Sequence, residues 1–251
     1  MRAFLAALQF LTILPLPAAC SPGTAALERS VPFFPLVGLL IGVAVAFFDL
    51  GLGLLLPPLL ASVLVVIALL VASGGLHLDG LADTADGFLS SRPRERILEI
   101  MKDSRSGPMA VAAVVCVLSL KMTALAEVPA AWRFGAIVLM AMAGRCALVL
   151  QLTVLPYARK EGGLAAVFQK TRGAWRLLWA LALLVGAAWL ALGPAGLAAA
   201  GGALLVALLF CLYAWRKIGG LTGDTLGAVC ELAETTPALV LVAWTHGGRA
   251  I

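Results

Sequence analysis

Asp79, Asp83 and Asp86 fall within eight residues of one another in the segment Gly74–Phe88, directly after the apolar run Leu59–Ala72. On a helix they stand at i, i+4 and i+7, so all three carboxylates share one face. Three anions at that spacing repel, and nothing in a folding argument rewards them. Mg²⁺ bridging carboxylates to phosphate oxygens would remove the penalty, and this reading is preferred to a solvated acidic turn. His77 precedes the acidic face by two residues and is expected in the loop approaching the helix. Its roles stay open among metal ligand, proton acceptor and hydrogen-bond donor to a pyrophosphate.

Other chemistry-bearing residues lie elsewhere. Asp224, with Thr222 beside it, sits in the glycine-rich connection Gly219–Gly227, where backbone amides can approach an anion closely. The expectation is that Asp224 joins the metal site. Glu231 and Glu234 follow at the start of the last apolar run, and membrane-edge carboxylates are costly enough to suggest function. Asp103 and Arg105 bracket a short polar turn. Asp103 is a candidate metal ligand or base and Arg105 a candidate phosphate grip, the alternative being a surface salt bridge. Arg145 lies mid-span and must find a carboxylate, carbonyls or a ligand anion, whereas Lys121 is expected to snorkel. There is no Walker loop, no Gly-x-Ser-x-Gly elbow and no His-Glu-x-x-His. Acids, arginines and glycine loops together suit metal-assisted phosphoryl chemistry.

These residues must be positioned by a membrane protein. Of the 251 residues 62% are hydrophobic and 12% charged, with a mean hydropathy of +1.05. The expected architecture is all-α: one polytopic integral membrane helix bundle over residues 1–251. Seven spans are read at about 32–50, 54–73, 108–127, 134–155, 174–192, 195–214 and 226–245. The first two are expected to join through a tight Gly51–Gly53 turn. Phe4–Leu16 imitates a signal peptide, but Pro15 and Pro17 interrupt it before Cys20. It is expected as an interfacial segment that remains uncleaved. Arg92-Pro93 opens a cytoplasmic amphipathic helix carrying Ile97, Ile100 and Met101 on one side.

Basic residues cluster between spans two and three (Arg92, Arg94, Arg96, Lys102, Arg105), between four and five (Arg159, Lys160, Lys170, Arg172, Arg176) and after span six (Arg216, Lys217). All these connections fall on one side, which the positive-inside rule makes cytoplasmic. The net charge of +5 therefore reports topology, and no basic cluster interleaved with aromatics supports nucleic-acid binding. The five cysteines are odd in number and form no Cys-x-x-Cys pair, so they read as small core residues. Gly74-Gly75-Leu76-His77-Leu78-Asp79-Gly80-Leu81 and Gly219-Gly220-Leu221-Thr222-Gly223-Asp224-Thr225-Leu226 share Gly, Gly, Leu, Asp and Leu at equal offsets, a faint internal echo.

Three stretches in order, His77–Gly87, Met101–Gly107 and Gly219–Ala228, resemble the cobalamin synthase (adenosylcobinamide-GDP ribazoletransferase) family. Phe10–Pro17, Phe34–Gly38 and Tyr157-Ala158-Arg159 are also similar to its pattern. The resemblance implies a Mg²⁺-dependent transferase of the bacterial inner membrane with its active site facing the cytoplasm. Its substrates would be adenosylcobinamide-GDP and α-ribazole or α-ribazole 5′-phosphate, with GMP leaving. Asp79, Asp83, Asp86 and Asp224 would hold the metal, and Asp103 or His77 would be the base. Arg105, Arg145, Arg159, Lys102, Thr222 and Glu231 would contact substrate. A homo-oligomer is left open. The acidic motif is also similar to that of CDP-alcohol phosphotransferases, but Asp83 stands where their pattern has arginine. An ion-coupled transporter is the third reading, disfavoured because the acids cluster on one face.

Overall fold

The computed structural model describes residues 1–15, 23–103, 105–159, 163–169 and 173–247. Within them the chain forms α1 (Arg2–Leu11), α2 (Thr24–Glu28), α3 (Phe34–Gly53), α4 (Pro58–Ala72), α5 (Leu76–Phe88) and α6 (Arg94–Ile100). There follow α7 (Pro108–Glu127), α8 (Ala130–Val154), α9 (Leu164–Gln169), α10 (Ala174–Ile218) and α11 (Gly223–His246). Five helical segments are long and apolar enough to cross a bilayer: Val31–Gly53, α7, α8, α10 and α11. The expected all-α membrane bundle is therefore the fold.

Its centre is α8, whose residues from Gly135 to Leu152 are all buried among α3, α10 and α11. Lipid offers no hydrophobic drive for helix association, so close packing must come from small residues. Gly38 and Gly42 of α3 meet α8 so tightly that added Cβ atoms would lie 2.8 Å from Ala141 O and from Val138 Cα. Along α10 the buried column is mostly alanine, including Ala180, Ala188, Ala199, Ala203 and Ala207. Trp175, Trp179, Trp189 and Leu190 point outward, as a lipid-facing surface requires.

The span expectations need adjustment in two places. The α3–α4 turn lies at 54–57, because helix α3 continues through Gly51–Gly53. The second expected span is shorter, since α4 has only 15 residues before the chain bends by 91° into α5. The fifth and sixth expected spans are the two halves of α10, which part at Gly193, where φ is +53° and Pro194 follows. Its first half runs along α8, with the Cys146 thiol 3.6 Å from Ala180 O and Leu192 against Gly135. Its second half returns along α11, where Gly202 meets Val240, and reaches α5 at Lys217.

The bundle therefore has two polar ends. At one, the Arg133 guanidinium grips both Asp49 oxygens at 2.8 Å and also bonds Ser62 and Leu125 O, tying α8 to α3, α4 and α7. At the other end converge the last residues of α4, α8 and α10, all of α5, and the first residues of α7 and α11. The amphipathic helix is α6, but Ile97 and Met101 are buried against Gly87 of α5. Cys146, Cys211 and Cys230 are buried free thiols and Cys116 is exposed. The expectations placed on Cys20, Ser104, Lys160, Lys170 and Arg172 lie outside the described residues.

Candidate active site

The site is built by laying α5 across the end of the bundle. Gly74 and Gly75 make the bend with φ of +61° and +73°, a left-handed pair that residues bearing a Cβ resist. Ile13 N–H donates to Ala72 O at 3.0 Å, so the N-terminal segment is fastened to the same corner. The helix then crosses α11 at two glycines. A Cβ on Gly80 would lie 2.6 Å from Asp224 O, and one on Gly227 would lie 2.7 Å from His77 O. Only bare backbone permits this approach, and it sets Asp79 and Asp224 on the wall of one cavity. That cavity, about 180 Å³, is lined by His77, Asp79, Asp224, Gly80, Gly223 and Gly227, with Phe10, Phe34, Leu76, Leu148, Ala165 and Leu226.

Asp224 is held by two side chains, Thr222 and Arg159. Thr222 caps α11: its hydroxyl accepts from Thr225 N–H at 3.2 Å and lies 3.2 Å from Asp224 Oδ2. Leu221 N–H donates to Pro156 O and Ala158 N–H to Leu221 O, both at 2.8 Å, a two-bond strand contact. That contact carries Arg159 to Asp224, which accepts from Nη2 at 2.8 Å. Arg159 Nε is buried without a hydrogen-bond partner among the described residues, a donor that an incoming anion would satisfy. Arg159 also borders a second depression with Lys102, Arg94, Leu98 and Glu99.

Asp79 is exposed, whereas Asp83, Asp86 and Asp224 are half-buried. Burial first, and then the charges of Asp79, Asp224 and Asp86, push the Asp83 carboxyl up to about 6. Asp86 has a second occupation. Its carboxylate accepts Gly107 N–H, and Ala110 N–H at 2.8 Å, and so caps α7.

The chain matches the model of the family described as Cobalamin-5-phosphate synthase over residues 3–242. It belongs to that family. It is 42% identical to the adenosylcobinamide-GDP ribazoletransferase of Desulforamulus reducens over 91% of each chain. It is 40% identical to that of Geotalea daltonii over 99% of each, and 43% identical to that of Roseiflexus over 94% of this chain and 87% of the relative. No solved structure matches. The protein is thus a membrane transferase of cobalamin biosynthesis.

Several residues stand where sequence reasoning did not put them. His77 is inside α5, not in an approach loop, and is buried. Burial first, and then the Arg145 charge, lower it to about 3, so it is a neutral imidazole. Arg145 and Glu231 do not line the cavity. They belong to a closed network beneath it, where Lys121 Nζ meets Glu231 Oε2 at 2.6 Å and Glu234 Oε1 at 2.9 Å, and Arg145 donates to Glu234. Lys121 is fully buried and does not snorkel. Thr222 is a cap that steadies Asp224. Asp103 is bound at the surface by Arg105, Nη2 to Oδ2 2.7 Å, and that guanidinium lowers its carboxyl to about 2. This is the surface-salt-bridge alternative.

The acid cluster suits a hard divalent cation in donor type, being all carboxylate oxygen. Among the described residues no three His, Cys, Asp or Glu side chains form a ready-made cage. An open site of one or two carboxylates completed by phosphate oxygens and water is the form Mg²⁺ favours, so the residues fit. What sequence reasoning missed is the Gly80–Gly227 crossing, the aromatic wall of Phe10 and Phe34, and the role of Lys121. The first was signalled only by glycines embedded beside Asp79 and after Asp224.

Proposed function

We propose that this transferase joins adenosylcobinamide-GDP to α-ribazole, or to α-ribazole 5′-phosphate, with release of GMP at the cytoplasmic face of the bacterial inner membrane. The observation that carries the reading is the α5–α11 crossing, which sets Asp79 and Asp224 on one cavity with Arg159 beside them. The curated relatives are named for this pair of substrates. The cytoplasmic orientation rests on the basic residues gathered at the same end of the bundle as the site.

The reaction forms one P–O bond and breaks another. A ribose hydroxyl of the nucleoside attacks the phosphorus attached to the aminopropanol arm of cobinamide. The bridging P–O bond of the pyrophosphate breaks, GMP leaves with the electron pair, and the hydroxyl proton passes to a base. Mg²⁺ would be held by one or two of the carboxylates Asp79, Asp83, Asp86 and Asp224, and would neutralise charge on the pyrophosphate. Arg159 donates to the diphosphate through its unpartnered Nε, and Lys102 and Arg105 add positive charge at the approach. Asp79, exposed on the cavity wall, suits proton acceptance from the hydroxyl when the metal rests on the other carboxylates. Asp103, held ionised by Arg105, is a weak base, and His77, lowered by burial, is a weak one too.

The test is incubation of purified protein in proteoliposomes with adenosylcobinamide-GDP, α-ribazole and Mg²⁺, followed by mass analysis. Stoichiometric GMP and a corrinoid gaining the ribazole are expected. Uptake of either substrate without GMP would favour the transporter reading and overturn this one.

A further inference from the structure

The cavity at the α5–α11 crossing has two unlike halves. His77, Asp79 and Asp224 form one wall. The other part of the lining is apolar, with Phe10 of α1, Phe34 of α3, Leu148 of α8 and Leu226 of α11. The aromatic side is built in depth, because Phe168 of α9 packs behind it with ring centroids 4.8 Å from Phe10 and 5.6 Å from Phe34. Four helices and an N-terminal segment thus cooperate to put an apolar slot beside the reacting groups.

Size and polarity restrict the occupant. Drug-sized ligands fill pockets of roughly 300–1,000 Å³, and an apolar cavity of roughly 150 Å³ accepts benzene. At about 180 Å³ this cavity takes one flat ring system and excludes a corrin or a whole nucleotide. Guanine would leave several donors and acceptors unsatisfied against phenylalanine and leucine, and each such group is costly to bury. The benzimidazole of ribazole is flat, largely apolar and uncharged, and aromatic side walls match it.

Resting on the transferase reading above, we propose that Phe10, Phe34, Leu148 and Leu226 form the subsite for the heteroaromatic base of the nucleoside acceptor. Bound there, the base places its sugar toward Asp79 and Asp224. The corrinoid nucleotide stays outside, its diphosphate reaching the same carboxylates from the surface where Arg159 and Lys102 lie. The two substrates meet at the acid wall from opposite sides, as in-line displacement requires.

Ala165, on α9, lies at this cavity and is buried, so Ala165→Phe would fill the slot without touching a carboxylate. The expected result is a KM for α-ribazole raised at least tenfold, with the KM for adenosylcobinamide-GDP changed less than twofold. Phe10→Ala, on the short N-terminal helix, should widen the slot. It should raise kcat/KM for a riboside of a bulkier tricyclic base, relative to α-ribazole, at least fivefold. A rise confined to the corrinoid KM, or no change in either ribazole parameter, would overturn the subsite. Should Ala165→Phe not fold, the Phe10→Ala selectivity decides alone. Equilibrium dialysis with radiolabelled α-ribazole reads the slot without turnover: binding by wild type that is lost in Ala165→Phe supports it, and equal binding in both refutes it. Wild-type binding without GMP release would sink the transferase reading and leave the subsite standing.

Discussion

Two clusters of charge lie one above the other in this protein, and they are built on opposite principles. Beneath the cavity, Lys121 and Arg145 face Glu231 and Glu234, two cations against two anions, all nearly inaccessible to solvent. At the bundle end, Asp79, Asp83, Asp86 and Asp224 crowd together with Arg159 paired directly to just one of them, Asp224. The balanced cluster supplies its own counter-charges and joins α7, α8 and α11. The unbalanced one is open and leaves an anionic excess that a cation and a substrate would relieve. Acidic residues at a membrane edge therefore do not announce function by type alone; what separates the two groups is whether the protein supplies their counter-charges.

That contrast can be broken from either side. Asp83→Asn should have the largest effect, a fall in turnover of about a thousandfold or more (roughly 4 kcal/mol of transition-state stabilisation at 1.4 kcal/mol per tenfold). Because the change removes repulsion, metal-free thermal stability should hold or rise. Activity close to wild type at limiting Mg²⁺ would place Asp83 outside the site. Glu234→Gln should do the reverse. It strips the carboxylate shared by Lys121 and Arg145 and should cost about 3–5 kcal/mol of stability, read as a lower unfolding temperature in detergent. A Glu234→Gln protein as stable as wild type would mean the lower cluster does not hold the bundle together.

Smaller effects sharpen the boundary between the clusters. Asp86 belongs partly to each kind, being an acid of the open cluster that also caps α7. Asp86→Ala should cost about 0.5–2 kcal/mol in stability through the lost cap. Asp86→Ser, which can still cap, should recover most of that stability, and comparing Mg²⁺ dependence in the two variants separates capping from ligation. Arg105→Ala should be smallest, leaving the unfolding temperature close to wild type, since the pair is exposed. The lowered carboxyl of Asp103 contributes stability above its ordinary value of 3.8 and loses it as pH falls toward 2, so the pH–activity profile near neutrality should not move.

The legible part of this molecule was what a single helix can show. The i, i+4, i+7 spacing of Asp79, Asp83 and Asp86 placed them on α5, and Gly193-Pro194 marked where α10 breaks. What lay beyond reach was pairing between distant helices. Lys121 and Arg145 found Glu231 and Glu234 about a hundred positions away, and a lone charged residue in an apolar run looks the same whether it snorkels or is paired. His77 was misplaced for a related reason: Gly75 caps the helix from a left-handed conformation, so α5 begins before His77. That Asp86 also caps α7 was not legible, because its partners Gly107 and Ala110 lie beyond α5, some twenty positions on.

The central claim is that Asp79 and Asp224, 145 positions apart (224 minus 79), serve one site through the Gly80–Gly227 crossing. A double-mutant cycle on the rate of GMP release, with Asp79→Asn, Asp224→Asn and the pair together, tests it most directly. Groups acting on one metal and one substrate should be strongly non-additive, the double mutant being little slower than the worse single mutant. A double mutant whose defect equals the product of the two single defects would contradict the account and assign the two aspartates to separate tasks.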